Sequence, residues 1–146
     1  MAYSIKTGVK VFPIEVEDID GGVINLKFNP SDSNILIRYE KFSDELSKKL
    51  DKLPSDNLSF DENDTDQLPE LTHRAKEISD LVFESYDSIF GEGTSAELFK
   101  YCHPMTIRDG EPFAVSIGRV VAQIIKDNAK KEQGKYNKYL QKYSKK

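Results

Sequence analysis

Hydrophobic and polar positions alternate with a period of two in the first thirty residues and shift to a three-to-four-residue period afterwards. In "VKVFPIEVE" (residues 9–17), Val9 and Val11 flank Lys10, and Ile14 and Val16 alternate with Glu15 and Glu17. That pattern predicts a half-buried strand, and Pro13, which lacks a backbone donor, predicts an edge position. Asp20-Gly21-Gly22 offers the positive φ angles of a tight turn. Ile24, Leu26 and Phe28 then alternate with Val23, Asn25 and Lys27 as a second strand. An isolated hairpin needs a cover for its apolar face.

The helical period supplies that cover. Asn29-Pro30-Ser31-Asp32 reads as a turn and helix start, and Ile35, Tyr39, Phe42, Leu46, Leu50 and Leu53 recur at helical steps before Pro54-Ser55. A second helix is expected over about 65–90, opened by an Asp64/Gln67 capping box, with Leu71, Ala75, Ile78, Val82 and Ile89 inward and Leu81, Phe83 and Tyr86 widening the stripe. A short helix over about 94–102 follows. A long one over about 111–133 then carries Phe113, Ile117, Val120, Val121 and Ile124, widened by Val115, Gly118, Ala122 and Ile125 to more than half its circumference. Gly118 suggests close approach of another backbone, and Gly134 is expected to interrupt or end the helix. The expected fold is α+β: an N-terminal β-hairpin (about 8–28) on a mostly helical bundle, one domain over residues 1–133 with a basic Tyr/Lys tail over 134–146.

Composition narrows the function classes. The chain has 146 residues, 32% charged and 38% hydrophobic, with one cysteine and no tryptophan. A chain of this length can bury a modest core of its own. No run approaches the roughly 18 apolar residues of a membrane helix, and "MAYSIKTGVKVF" lacks the apolar stretch of a secretory signal. A single cysteine excludes an intrachain disulfide and fits a reducing compartment. The Asn57 and Asn63 glycosylation sequons then carry no meaning. Residues 126–146 hold eight lysines against Asp127 and Glu132, a balance of +6, so the net charge of −4 leaves −10 for the other 125 residues. An acidic body with a basic tail suits an electrostatically oriented partner, or the tail is simply a solvated terminus.

Three candidate chemistries fail on spacing. The acidic stretch "SDNLSFDENDTD" (55–66) would, as a calcium loop from Asp61, place Asp66 where the turn glycine belongs and Thr72 where the bidentate glutamate belongs. It reads as a linker. In "FGEGTSAELFKYCHPM" (90–105), the glycines and Thr94-Ser95 hint at a phosphate loop, but the glycine spacing is wrong, no lysine follows, and Glu92 would repel phosphate. Structural roles account for the same residues: Gly91 ends a helix, Thr94 caps the next, and Glu97 completes a T-x-x-E capping box. Cys102 and His103 are neighbours on a helix and point about 100° apart, with His73 the only other histidine. A buried, inert Cys102 is expected, with no metal. "MTIRDGEP" (105–112) reads as a turn, Asp109 or Gly110 near a helix cap and Pro112 in the first helical turn.

From Leu81 to Tyr143 the chain carries "LVFESYDSIFGEGTSAELF", a long apolar helix and a Lys/Tyr-rich end. This resembles the tail assembly chaperones of long-tailed phages and prophages of Gram-positive bacteria. The most specific element is "IFGEGTSAELF" at 89–99, and the N-terminal hairpin fits the same layout. The resemblance implies a non-enzymatic assembly factor in the host cytoplasm. Such a factor coats the tape measure protein while tail tube subunits polymerise around it, and is absent from the mature virion. No cofactor, metal or catalytic residue carries over, and a homo-oligomer is possible. The end "KKEQGKYNKYLQKYSKK" is more basic than that pattern. In it Tyr136, Tyr139, Leu140 and Tyr143 fall on one helical face with Lys138 and Lys142 beside them, as a packed terminal helix or a partner-binding segment. The competing readings are a nucleic-acid accessory protein, its lysines on phosphates and tyrosines on bases, and a hydrolase requiring His73, Cys102 and a carboxylate to converge.

Overall fold

Strand β1 (Lys10–Glu15) pairs antiparallel with β2 (Val23–Phe28) in a register that sets Phe12 opposite Leu26 and Ile14 opposite Ile24. The computed structural model describes residues 2–52 and 68–144. Helices α1 (Ser33–Asp51), α2 (Leu68–Phe90) and α3 (Thr94–Leu98) follow, then a two-residue hairpin of β3 (Ile107–Arg108) and β4 (Glu111–Pro112), and last α4 (Phe113–Ser144). This is an α+β fold, a hairpin laid on helices. The expected Asp64/Gln67 cap, Leu53 and the 55–66 linker lie outside the described residues.

One core joins the layers. Ile24, Leu26 and Phe28 from β2 meet Ile35, Tyr39, Phe42 and Leu46 from α1, Ile78, Val82, Tyr86 and Ile89 from α2, and Ala114, Ile117, Val121 and Ile125 from α4. Aromatic rings fill its middle: Tyr86 lies 5.2 Å from Phe42, edge-on, and 5.9 Å from Phe90, stacked. Such pairs add to the burial of their area. The hydroxyl of Tyr39 donates to the Gly118 carbonyl at 3.0 Å and lies 3.2 Å from that of Tyr86, tying α1, α2 and α4 together.

The structure departs from the sequence reading at several points. Val9 and Val11 lie on the exposed side of the first strand, and Phe12 joins Ile14 and Val16 inside, because β2 offers its apolar face to that phase. In the first turn only Gly21 takes a positive φ, 72°. "MTIRDGEP" is a hairpin rather than a helix cap: Asp109 (φ 52°) and Gly110 (φ 83°) form its two-residue turn, both left-handed as a type I′ turn needs, and Pro112 pairs with Ile107. Pro104 and Thr106 carbonyls then accept from the Ala114 and Phe113 amides and cap α4. The buried stripe of α4 is narrower than expected, since Val120 and Ala122 are exposed. What approaches Gly118 is the Tyr39 hydroxyl, 3.7 Å from where a Cβ would stand, and no backbone. Gly134 does not break the helix, which runs through it to Ser144. One helical glycine costs about 1 kcal/mol, and the helix-forming residues on either side absorb that.

Candidate functional site

The Gly91–Glu97 junction is a structural corner. Gly91 ends α2 with φ 119°, its amide still bonded to the Asp87 carbonyl. The N-cap of α3 is Gly93 (φ 93°), with no side-chain cap. The expected capping box is therefore absent. Thr94 turns its hydroxyl back to donate to the Gly91 carbonyl at 2.7 Å. The α3 amide of Ser95 is satisfied instead by the Asp87 carboxylate of α2, at 2.7 Å.

Glu97 reaches across to the sheet, accepting from the Asn25 amide of β2 at 2.9 Å and pairing with Lys100 at 2.7 Å. Lys100, then the Asn25 amide, hold its carboxyl below the usual carboxylate range. The recess beside this corner, about 540 Å³, is lined by Asp32, Glu92 and Glu97 against Lys27. That charge set disfavours a phosphate.

This geometry orders two substitutions. Glu97→Ala should cost about 1 kcal/mol, the worth of one hydrogen bond whose donor water can reach, and Thr94→Ala should cost less. A capping box would reverse the order. Because the Glu97 carboxyl is depressed in the folded state, its contribution is present above pH 4.5 and fades as pH falls through the lower folded value. Urea titrations at pH 7 and pH 4 check both the order and the fading.

Cys102 is half-buried rather than buried, with its thiol 3.7 Å from the His103 carbonyl. His103 is engaged on both ring nitrogens: Nδ1 accepts from the Met105 amide at 3.1 Å, which leaves Nε2–H to donate to Ser79 at 3.3 Å. The ring therefore serves the turn into the β3–β4 hairpin. His73 is exposed on α2. Among the described residues no group of three or more His, Cys, Asp or Glu could hold a metal ion.

The tail residues sit on the outer end of α4. Ile125 is the last buried residue among those described, Asn128 and Ala129 are half-buried, and every described side chain from Lys130 to Lys142 is exposed. Lys138, Leu140 (45% exposed) and Lys142 are among them. Tyr136, Tyr139 and Tyr143 belong to the same helix, with side chains outside what the structure describes. At 1.5 Å per residue, the stretch beyond Ile125 extends the helix by about 28 Å.

The sequence reading missed a groove of about 510 Å³ at the opposite end of α4, where the β1–β2 loop, the β3–β4 hairpin and the first turns of α4 meet. Ile14, Ile24 and Ile117 are on its wall and floor, and Ile19, Tyr101 and Val120 form exposed edges. The Asp18–Arg108 ion pair, 2.9 Å, crosses between its two loops. These residues come from distant parts of the chain, so no local pattern announces them.

A β-hairpin packed on helices, with one helix running out beyond the core, makes this an α+β protein with exposed surface at both ends of that helix. The family model described as "Family of unknown function (DUF6673)" matches residues 22–146, and the chain belongs to that family. No curated protein and no solved structure matches the chain. Among the described residues no helix is long and apolar enough to cross a membrane.

Proposed function

We propose that this protein is a non-enzymatic tail assembly chaperone of a long-tailed phage or prophage, holding the tape measure protein in the host cytoplasm while tail tube subunits are recruited, and leaving before the virion matures. The observation that carries the reading is the outer end of α4: a helix that runs about 28 Å beyond Ile125, its last described buried residue, basic, with Leu140 exposed among lysines. Every described side chain from Lys130 to Lys142 is exposed, and a partner's apolar surface would repay the conformational entropy of ordering such a helix end. The likeness of "IFGEGTSAELF" to that chaperone family supplies the identity of the partner.

Contact with a helical segment of the tape measure protein would use the face of Tyr136, Tyr139, Leu140 and Tyr143. Lys138 and Lys142 would steer the encounter more than fix its strength. The test is co-expression with a tape measure protein from the same genome. The wild type should keep that protein soluble and co-purify with it, and Leu140→Asp should lower the yield of complex several-fold while leaving the thermal midpoint of the chaperone unchanged. Equal capture by both would contradict the assignment. The same samples, titrated with duplex DNA at physiological salt, should show no binding. Binding with a steep salt dependence would instead favour the nucleic-acid reading.

A further inference from the structure

We propose that the outer end of α4 docks in the groove beside the β3–β4 hairpin of a second copy of this chain, joining molecules head to tail. The two surfaces are complementary. The groove is lined by Glu15, Glu17, Asp18 and Asp109 against one cation, Arg108, which Asp18 already holds. Its interior is apolar, and its volume of about 510 Å³ takes a few large side chains, not a whole domain. The tail offers the converse: exposed lysines at 130, 131, 138 and 142, with Leu140 between them on a face that Tyr136, Tyr139 and Tyr143 share by spacing. A nucleic acid fits the groove badly, since its phosphates would meet the same carboxylates.

Geometry selects a second copy over the chain's own tail. Ile117 and Val120 line the groove, and Leu140 lies on the same uninterrupted helix. Twenty-three residues of α-helix from Ile117 to Leu140 separate them by about 35 Å. The helix carries the tail away from its own groove and holds it there. A tail in the groove of a neighbour leaves that neighbour's tail free, so the contact is heterologous and can propagate. With charges at its rim and a small apolar centre, it should be weak and salt-sensitive. The contact uses the tail face that the tape measure reading also uses, so one tail holds one occupant at a time; it does not depend on that reading, and its test needs only the purified chain.

Sedimentation analysis of the full-length protein reads the prediction. At low salt the average mass of the wild type should rise with concentration, and the rise should shrink as salt is added. A groove variant (Glu15→Lys with Glu17→Lys) and a tail variant (Lys138→Glu with Leu140→Asp and Lys142→Glu) change exposed side chains only, so each should keep the wild-type thermal midpoint. Each alone should be monomeric. Mixed in equal amounts, they retain one intact groove and one intact tail, and should form a species of two chains and nothing larger. A wild type that stays monomeric at every concentration, variants that associate as the wild type does, or a mixture that stays monomeric would each overturn the proposal.

Discussion

Tyr86→Ala should cost about 3–5 kcal/mol, the range for truncating a large aromatic in a packed core. Tyr86 is 1% exposed. Its ring touches Phe42 and Tyr39 of α1, Phe90 of α2, and Phe99 just beyond α3, at centroid distances of 5.2, 6.1, 5.9 and 5.8 Å. No single neighbour can move into the space left behind without losing contact with the others. Against a total stability of about 5–15 kcal/mol, the variant would keep only part of its folded population under mild denaturant. Urea titration measures the cost, and a loss below about 1 kcal/mol would mean that the ring cluster collapses freely and is not the centre of the core.

Conservative changes in the buried tyrosine pair should separate cleanly. The Tyr39 hydroxyl gives its proton to the Gly118 carbonyl, so Tyr86 must be the donor between the two hydroxyls. Tyr39→Phe strands the Tyr86 hydroxyl in the core and should cost about 1–3 kcal/mol. Tyr86→Phe leaves Tyr39 still bonded to Gly118 and should cost about 0.5–1.5 kcal/mol. Burial, foremost, raises both phenols above the ordinary value of 10.0, and Tyr86 well above it, helped by the neighbouring Tyr39. A raised acid is one whose neutral form the fold favours. The stabilisation is therefore complete below pH 10 and falls as pH rises beyond it, by at most about 1.4 kcal/mol per pH unit for each tyrosine. Denaturation between pH 9 and pH 11 should show that slope in the wild type and a shallower one in Tyr86→Phe.

Where one side of an element was apolar over several turns, the sequence was enough. Ile35, Tyr39, Phe42 and Leu46 on α1, and Ile78, Val82 and Ile89 on α2, are buried as their spacing requires, and the hairpin on helices follows from the change of period. Local patterns with a non-local competitor misled. T-x-x-E at 94–97 has the form of a capping box, yet Asn25, far away in the chain, takes Glu97, and Asp87 of the preceding helix supplies the cap. In β1, Val11 and Phe12 are adjacent apolar residues, so either phase of alternation was open until β2 chose one. Asp109-Gly110 carried a hairpin signal, but with strands of two residues on each side it read as a helix start. On α4, Val120 and Ala122 look like core and face outward, Val120 on the rim of the groove. Of the candidate surface, the tail was legible as a spacing of tyrosines and lysines, while the groove exists only once four separate segments meet.

The central claim is that the outer end of α4 serves docking and contributes nothing to the core. Deleting residues 134–146 tests it with two readings on one protein: the thermal midpoint and the capture of the tape measure protein. Since Ile125 is the last buried position among the described side chains of the helix, the midpoint should move by less than about 2 °C, while capture falls at least tenfold. An unfolded truncation would place the tail in the core, and a folded one that captures as the full chain does would put the docking surface elsewhere.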